Sequence, residues 1–258
     1  MTASPAHKGS LVLVPNLLDL GSPQTLPLDS ALPLAVIQRA AALTHWVVED
    51  AKTARAFIKR VAAQVPLATP LQALSMRELP RPVKGSGAAP SERDLAALLE
   101  PAQQGHDIGL LSEAGLPAVA DPGAELVAQA HALGLVVEPL PGASALMLAL
   151  AASGLNGQQF AFVGYLPVKD DARAARIREL EAASRRLGQT QIAIETPYRN
   201  TALLHALLRH LAPTTRLCVA CALGWPEGWC RMKPVGQWRR APPVLPDKLP
   251  AVFLFLGR

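Results

Sequence analysis

Aromatic residues make up only 4% of this 258-residue chain, which leaves little material for a platform of rings on which splayed bases could stack. Cysteine is equally scarce. Cys218, Cys221 and Cys230 are the only three, all in one late segment, and an odd number excludes a fully paired disulfide framework and fits a reducing compartment. No apolar run approaches the roughly 20 residues of a membrane-spanning helix, although the mean hydropathy is +0.21. Residues 1–10 are polar, with no apolar stretch behind them, and do not read as a secretory leader. The expectation is a soluble, cytoplasmic protein with no membrane partner.

Several signatures of catalysis are also missing. No Gly-x-Gly-x-x-Gly follows the first strand, which argues against a standard dinucleotide fold, and no phosphate-binding Gly-x-x-x-x-Gly-Lys-Ser/Thr occurs. Neither His-Glu-x-x-His nor a Gly-x-Ser-x-Gly nucleophile elbow is present. The pair Cys218 and Cys221 has metal-ligand spacing. A closed zinc site needs four placed ligands, and only Cys230 and His210 lie near in sequence, so no metal is expected. The formal charge of +5 permits an anionic partner without requiring one.

What is present is ample apolar material in alternating patterns. Half the residues are hydrophobic, and the length suits two domains. Strand-like runs at 11–14, 46–48, 108–111 and 135–138 alternate with helical stretches at 34–43, 51–65, 91–99 and 124–133. That alternation predicts a largely parallel sheet covered on both faces. Ser91, with Glu92 and Asp94 behind it, reads as a helix start. Pro-rich stretches at 20–33 and 81–90 read as connections. The second half has strands at 160–165, 190–194, 216–220 and 252–256 with helices at 171–187 and 199–211, and its spacing predicts a mixed sheet. The boundary is read near Gly157, giving an N-terminal α/β domain over 1–156 and a C-terminal α/β domain over 157–258.

Three punctuated loops in the middle of the chain carry the chemistry. Ser112-Glu113-Ala114-Gly115-Leu116-Pro117 follows an apolar strand, Asp121-Pro122-Gly123 opens a helix, and Pro141-Gly142-Ala143-Ser144-Ala145 again joins a strand to a helix. In open α/β sheets, ligands bind beyond the carboxyl ends of strands, where such loops converge. Glycine admits close backbone approach, and helix amides accept anions. Asp121 and Pro122 also suit a helix cap and first turn. Ser144 has no base near it in sequence, so a helix-start role suits it better than nucleophile.

The order and spacing of these loops, followed by Ala152-Ser153-Gly154-Leu155, Phe160-Ala161-Phe162-Val163-Gly164-Tyr165-Leu166-Pro167 and Glu195-Thr196-Pro197-Tyr198-Arg199, resemble the tetrapyrrole-methylase superfamily. The nearest branch is the ribosomal-RNA small-subunit methyltransferase I branch, which methylates a cytidine ribose 2′-oxygen. The resemblance runs mainly over residues 105–200. It implies two α/β domains with an S-adenosylmethionine cleft between them, in a homodimer. It further implies that Ser112, Glu113, Ala114, Gly115 and Asp121 lie along the cofactor, with Ser144, Ala145, Leu166, Ala220, Pro250 and Ala251 completing its site.

The sequence departs from that branch in three places. Val14-Pro15-Asn16-Leu17-Leu18 replaces Thr-Pro-Ile-Gly-Asn, Glu49-Asp50-Ala51-Lys52 replaces Glu-Asp-Thr-Arg, and Cys221-Ala222-Leu223-Gly224 replaces Glu-Leu-Thr-Lys. A ribose hydroxyl profits from a general base, for which Glu113 is the candidate. Glu195 is expected instead to pair with Arg199 one helical turn away. Arg173, Arg176, Arg178, Arg185 and Arg186 crowd one helix, where interleaved acids predict pairing rather than a phosphate-tracking stripe. The alternatives are carbon methylation of a tetrapyrrole and a cofactor-binding relative without catalysis.

Overall fold

A computed structural model describes residues 7–17, 26–80 and 90–258. Most of the connection read at 81–90, the start of the Pro-rich stretch at 20–33, residues 1–6 and Leu18 lie outside the described residues. The chain divides into two compact units, Met1–Ala143 and Ser144–Arg258.

The first unit contains β1 (Ser10–Val14), β2 (His45–Val48), β3 (Ser75–Glu78), β4 (Ile108–Leu111) and β5 (Val136–Pro139). Their spatial order is β3-β2-β4-β1-β5, and every pairing is parallel. The helices are α1 (Leu34–Ala42), α2 (Ala51–Ala62), α3 (Glu92–Leu98), α4 (Glu100–Gln103) and α5 (Ala124–Ala132). Strand β4 is buried along its whole length, which is why it reads as a continuous apolar run without alternation. Val12, Val14, Trp46 and Val48 face α1 and α2, while Leu11, Val47 and Leu110 pack on the side of α3, α4 and α5.

Helix α2 shows how local sequence builds this layer. The Asp50 carboxylate accepts the N–H groups of Lys52 and Thr53, both at 2.9 Å, satisfying two donors that a helix start leaves open. Ala54, Phe57, Ile58 and Val61 recur at helical spacing and are buried. Truncating Phe57 to Ala would cost about 3–5 kcal/mol, the usual range for a buried aromatic. Ser91 caps α3 as expected, its hydroxyl accepting the Asp94 N–H at 3.2 Å.

The second unit contains β6 (Phe160–Tyr165), β7 (Thr190–Ile194), β8 (Arg216–Cys221), β9 (Trp229–Pro234) and β10 (Ala251–Leu256) in the order β6-β7-β10-β8-β9. Only β6 with β7 is parallel; the other pairings are antiparallel, so the sheet is mixed. Its helices are α6 (Ala145–Ala152), α7 (Asp170–Leu187), α8 (Asn200–His210) and α9 (Val235–Trp238). Central β10 is buried throughout. Phe253 and Phe255 pack with α7 and α8, and Val252 and Leu254 pack with α6. Through that contact the segment 144–156 belongs to the second compact unit.

Candidate cofactor site

The order of strands in the first sheet sets where a ligand can sit. From β1 the chain proceeds to β2 on one side of the sheet, and from β4 it proceeds to β5 on the other. Neighbouring β1 and β4 therefore send their loops in opposite directions, which opens a crevice at their carboxyl ends. Residues 15–17 and 112–117 are the two sides of that switch point.

Asn16 joins them. Its backbone N–H donates to Gly115 O, and Gly115 N–H donates back to Asn16 O, both at 2.9 Å. Its side-chain amide donates to Ser112 O at 3.2 Å and to Glu113 O at 3.0 Å. Gly142, in the loop after β5, lies so close that a Cβ there would stand 2.3 Å from Pro15 Cβ, so only glycine allows these loops to meet.

Within this crevice Ser112 is 3% exposed, and its Oγ has no hydrogen-bond partner among the described residues. A buried hydroxyl without a partner costs about 1–3 kcal/mol, and such a group marks a place where a ligand or water can complete it. Gly115 has φ +70°, and a Cβ at that position would meet open space. Ala118 and Ala120 both adopt φ 65°, a left-handed conformation costing roughly 1–2 kcal/mol for each such residue. Glu49, leaving β2, accepts the Glu113 N–H at 3.3 Å. The Asp121 carboxyl is pushed up to about 6, first by burial and then by the charges of Glu49 and Glu113.

The cap reading of Asp121 is corrected. The N-cap of α5 is Gly123, with φ 126°, because the Asp-Pro-Gly turn carries the chain two residues further before the helix begins. Asp121 thus belongs electrostatically with Glu49 and Glu113.

In the second unit Leu166, Ala220, Pro250 and Ala251 lie at one end of the sheet. Ala251 pairs with Cys221 and Val252 with Ala220 across β10 and β8, while Pro250 O accepts the Ala222 N–H at 2.9 Å. Ala220 shares a hydrophobic cluster with Leu146, next to Ala145 at the start of α6. Ser144 is the N-cap of α6, its carbonyl accepting the Leu148 N–H at 2.9 Å, while its hydroxyl makes no capping bond. Leu166 is buried just beyond β6, where a register shift between Phe162 and Gly164 interrupts the pairing with β7.

Residues 32–228 match the family model for Tetrapyrrole (Corrin/Porphyrin) Methylases. The chain belongs to this family. It is 44% identical over 97 residues to ribosomal RNA small subunit methyltransferase I of Pseudomonas aeruginosa, a match covering 38% of this chain and 33% of that protein. To the protein of the same name from Synechocystis sp. it is 40% identical over 123 residues, covering 48% and 43%. The chain thus aligns with less than half the length of either relative. The crystal structure of the methyltransferase CobJ superposes with a TM-score of 0.55 at 19% identity, over 97% of this chain and 94% of that one, a likeness of fold.

Glu195 and Arg199 pair as expected. Arg199 Nη2 lies 2.8 Å from Glu195 Oε1, and Nε donates to the same oxygen at 3.1 Å. On α7, Arg173 pairs with Asp170, Arg176 with Glu179 at 2.8 Å and Arg185 with Glu181 at 3.9 Å. Glu181 is not on the solvated face, however. It is buried and accepts the Ala212 N–H at 2.7 Å. Cys218 and Cys230 Sγ lie 3.3 Å apart as free thiols. Among the described residues no group of three or more His, Cys, Asp or Glu is arranged to hold a metal ion.

Two members of the crevice were not singled out from sequence. Asn16 entered only as a departure from the branch pattern and Glu49 only as part of a partial match. The available signal was position, since each is a polar residue one or two places beyond a buried strand.

Proposed function

We propose that this chain is an S-adenosylmethionine-dependent methyltransferase acting on a ribose 2′-oxygen of small-subunit ribosomal RNA, as a cytoplasmic homodimer. The observation that carries the reading is the buried Ser112 hydroxyl, without a partner among the described residues, at the switch point of the parallel sheet. Family membership and the names of the relatives support it. An open-faced Gly115 and carboxylates complementary to a cationic ligand also fit the cofactor.

The residues assigned to hold it are Ser112, Glu113, Ala114, Gly115 and Asp121 in the first unit, and Ser144, Ala145, Leu166, Ala220, Pro250 and Ala251 in the second. S-adenosylmethionine, when bound, supplies a methyl group already activated on a sulfonium. The chain's own work is then alignment, exclusion of water and removal of one proton. Glu113 is assigned as the base that takes the proton from the attacking hydroxyl, and Asp121 and Glu49 set the field around it.

Exposed apolar side chains at Met147, Leu148, Phe160 and Phe162 support a surface that a second copy covers. None of the described helices is long and apolar enough to cross a membrane.

The decisive experiment is calorimetric titration with S-adenosylmethionine and S-adenosylhomocysteine, followed by transfer of labelled methyl to small ribosomal subunits and to a porphyrinogen. Saturable binding, lost in Ser112→Ala and Glu113→Ala, with label entering the RNA, is the expected result. Label in the tetrapyrrole alone would replace the substrate. Binding without transfer to either would make the chain a non-catalytic relative, and absence of binding would end the methyltransferase reading.

A further inference from the structure

On the methyltransferase reading, the loop 112–115 lies along the cofactor, so its shape bears directly on binding. Downstream, Ala118 and Ala120 hold left-handed backbone, so the segment carries strain that a free loop would release. The Ser112 hydroxyl is sealed away from solvent without a partner among the described residues, a second cost that relaxation would remove. Such a loop persists only where surrounding contacts over-determine it.

Asn16 supplies those contacts. It is 8% exposed and reaches across a sequence gap of 96 and 97 residues to two consecutive carbonyls, Ser112 O and Glu113 O. Its backbone meanwhile closes a two-bond antiparallel bridge with Gly115. A carboxamide is suited to this task because its NH₂ carries two donors on one atom.

We propose that Asn16 is a positioning residue for the cofactor, its side-chain amide holding the carbonyls of Ser112 and Glu113 so that the loop is preorganised before the ligand arrives. Preorganisation of this kind raises affinity by removing the ordering cost from the binding step.

The proposal separates the side chain from the backbone, which makes it testable. Asn16→Ala keeps both backbone bonds to Gly115 and deletes both side-chain donors. Asn16→Asp keeps the shape and replaces the donors with an acceptor. Both should retain a cooperative thermal transition, while their Kd for S-adenosylmethionine rises at least tenfold. Under turnover the KM for S-adenosylmethionine should rise more than kcat falls, and amide hydrogen exchange at 112–121 should quicken. Wild-type affinity in Asn16→Asp would overturn the proposal, since its donors would then be dispensable. Loss of the folding transition in both variants would assign Asn16 to the scaffold and overturn it equally. If the wild-type protein binds no S-adenosylmethionine, the functional reading fails first and the role of Asn16 falls with it.

Discussion

The carboxylate of Glu49 accepts the backbone N–H of Glu113 at 3.3 Å, which ties the exit of β2 to the loop that follows β4. With the Asn16 amide holding the carbonyls of Ser112 and Glu113, that loop is gripped from two other strand ends. The same contact concentrates negative charge, for Glu49 and Glu113 both raise the proton affinity of Asp121. A crevice built in this way favours a cation and disfavours its own empty, fully ionised state.

The pH dependence of stability should report that disfavour. Burial, then Glu49 and Glu113, lift the Asp121 carboxyl from 3.8 to about 6. The folded state therefore binds more protons than the unfolded one between these values, and stability falls as pH rises through that window. A full shift of this size is worth roughly 3 kcal/mol, and partial exposure reduces it to about 1–2 kcal/mol. Asp121→Asn should raise the Tm by several degrees at pH 8 and leave it unchanged below pH 4. Thermal melts across pH 3.5–8.5 measure this, and an equal effect at every pH would assign the change to packing instead of charge.

The Glu195–Arg199 pair predicts an asymmetry. Glu195 is 3% exposed at its side chain and Arg199 31%, so removing the arginine leaves a buried carboxylate with only the Thr196 N–H and hydroxyl as donors among the described residues. Arg199→Ala should cost about 2–3 kcal/mol, and Arg199→Lys should recover only part of it, because an ammonium cannot reproduce the Nε and Nη2 geometry. Urea unfolding of both variants gives the comparison. Equal stability of the wild type and Arg199→Ala would show that water solvates Glu195 as well as the guanidinium does.

How much of this was legible depended on which force shaped each element. Strand Thr190–Ile194 was readable to the residue because it is buried along almost its whole length. Phe160–Tyr165, at the sheet edge, was readable from its aromatic and β-branched residues although Phe160, Phe162 and Tyr165 stay exposed. Two edge strands, β3 and β9, were not. Ser75–Glu78 has only Met76 partly buried, and Trp229–Pro234 alternates in Arg231 and Lys233, so hydrogen bonding to one neighbour places them where hydrophobicity is silent. The site divides likewise. Gly115 and Gly142 announce their loops because backbone conformation or close approach demands them. Asn16 and Glu49 act through partners 97 and 64 residues away, and no local pattern encodes a contact at that distance. The cap that Asp121 also suited fails for the converse reason: the local pattern is present, and the turn geometry overrides it.

The cysteines should behave as buried thiols of unequal access. Burial pushes the Cys218 and Cys221 thiols up, and both are about 1% exposed or less, whereas Cys230 is only partly buried. Thiolate is the reactive form, so brief alkylation of the folded protein should label Cys230 ahead of the other two, with all three reacting in denaturant. Peptide mass spectrometry reads the order. Chelators should leave the Tm unchanged, and a fall of several degrees would expose a structural metal.

The arginines of α7 test whether that helix touches RNA. Arg176 and Arg185 are already paired with Glu179 and Glu181, and a guanidinium engaged with a carboxylate releases fewer counterions when a phosphate approaches. Each phosphate contact to single-stranded RNA contributes about 0.7 to the slope of log affinity against log salt. Replacing both residues with Ala should therefore change the slope for ribosomal RNA by much less than the ~1.4 expected of two phosphate contacts, at the cost of a few tenths of a kcal/mol per helical ion pair. Filter binding of the double variant across 50–300 mM salt provides the slope. A drop near the full two-contact value would mean that RNA displaces Glu179 and Glu181 from their arginines, and α7 would then belong to the substrate surface.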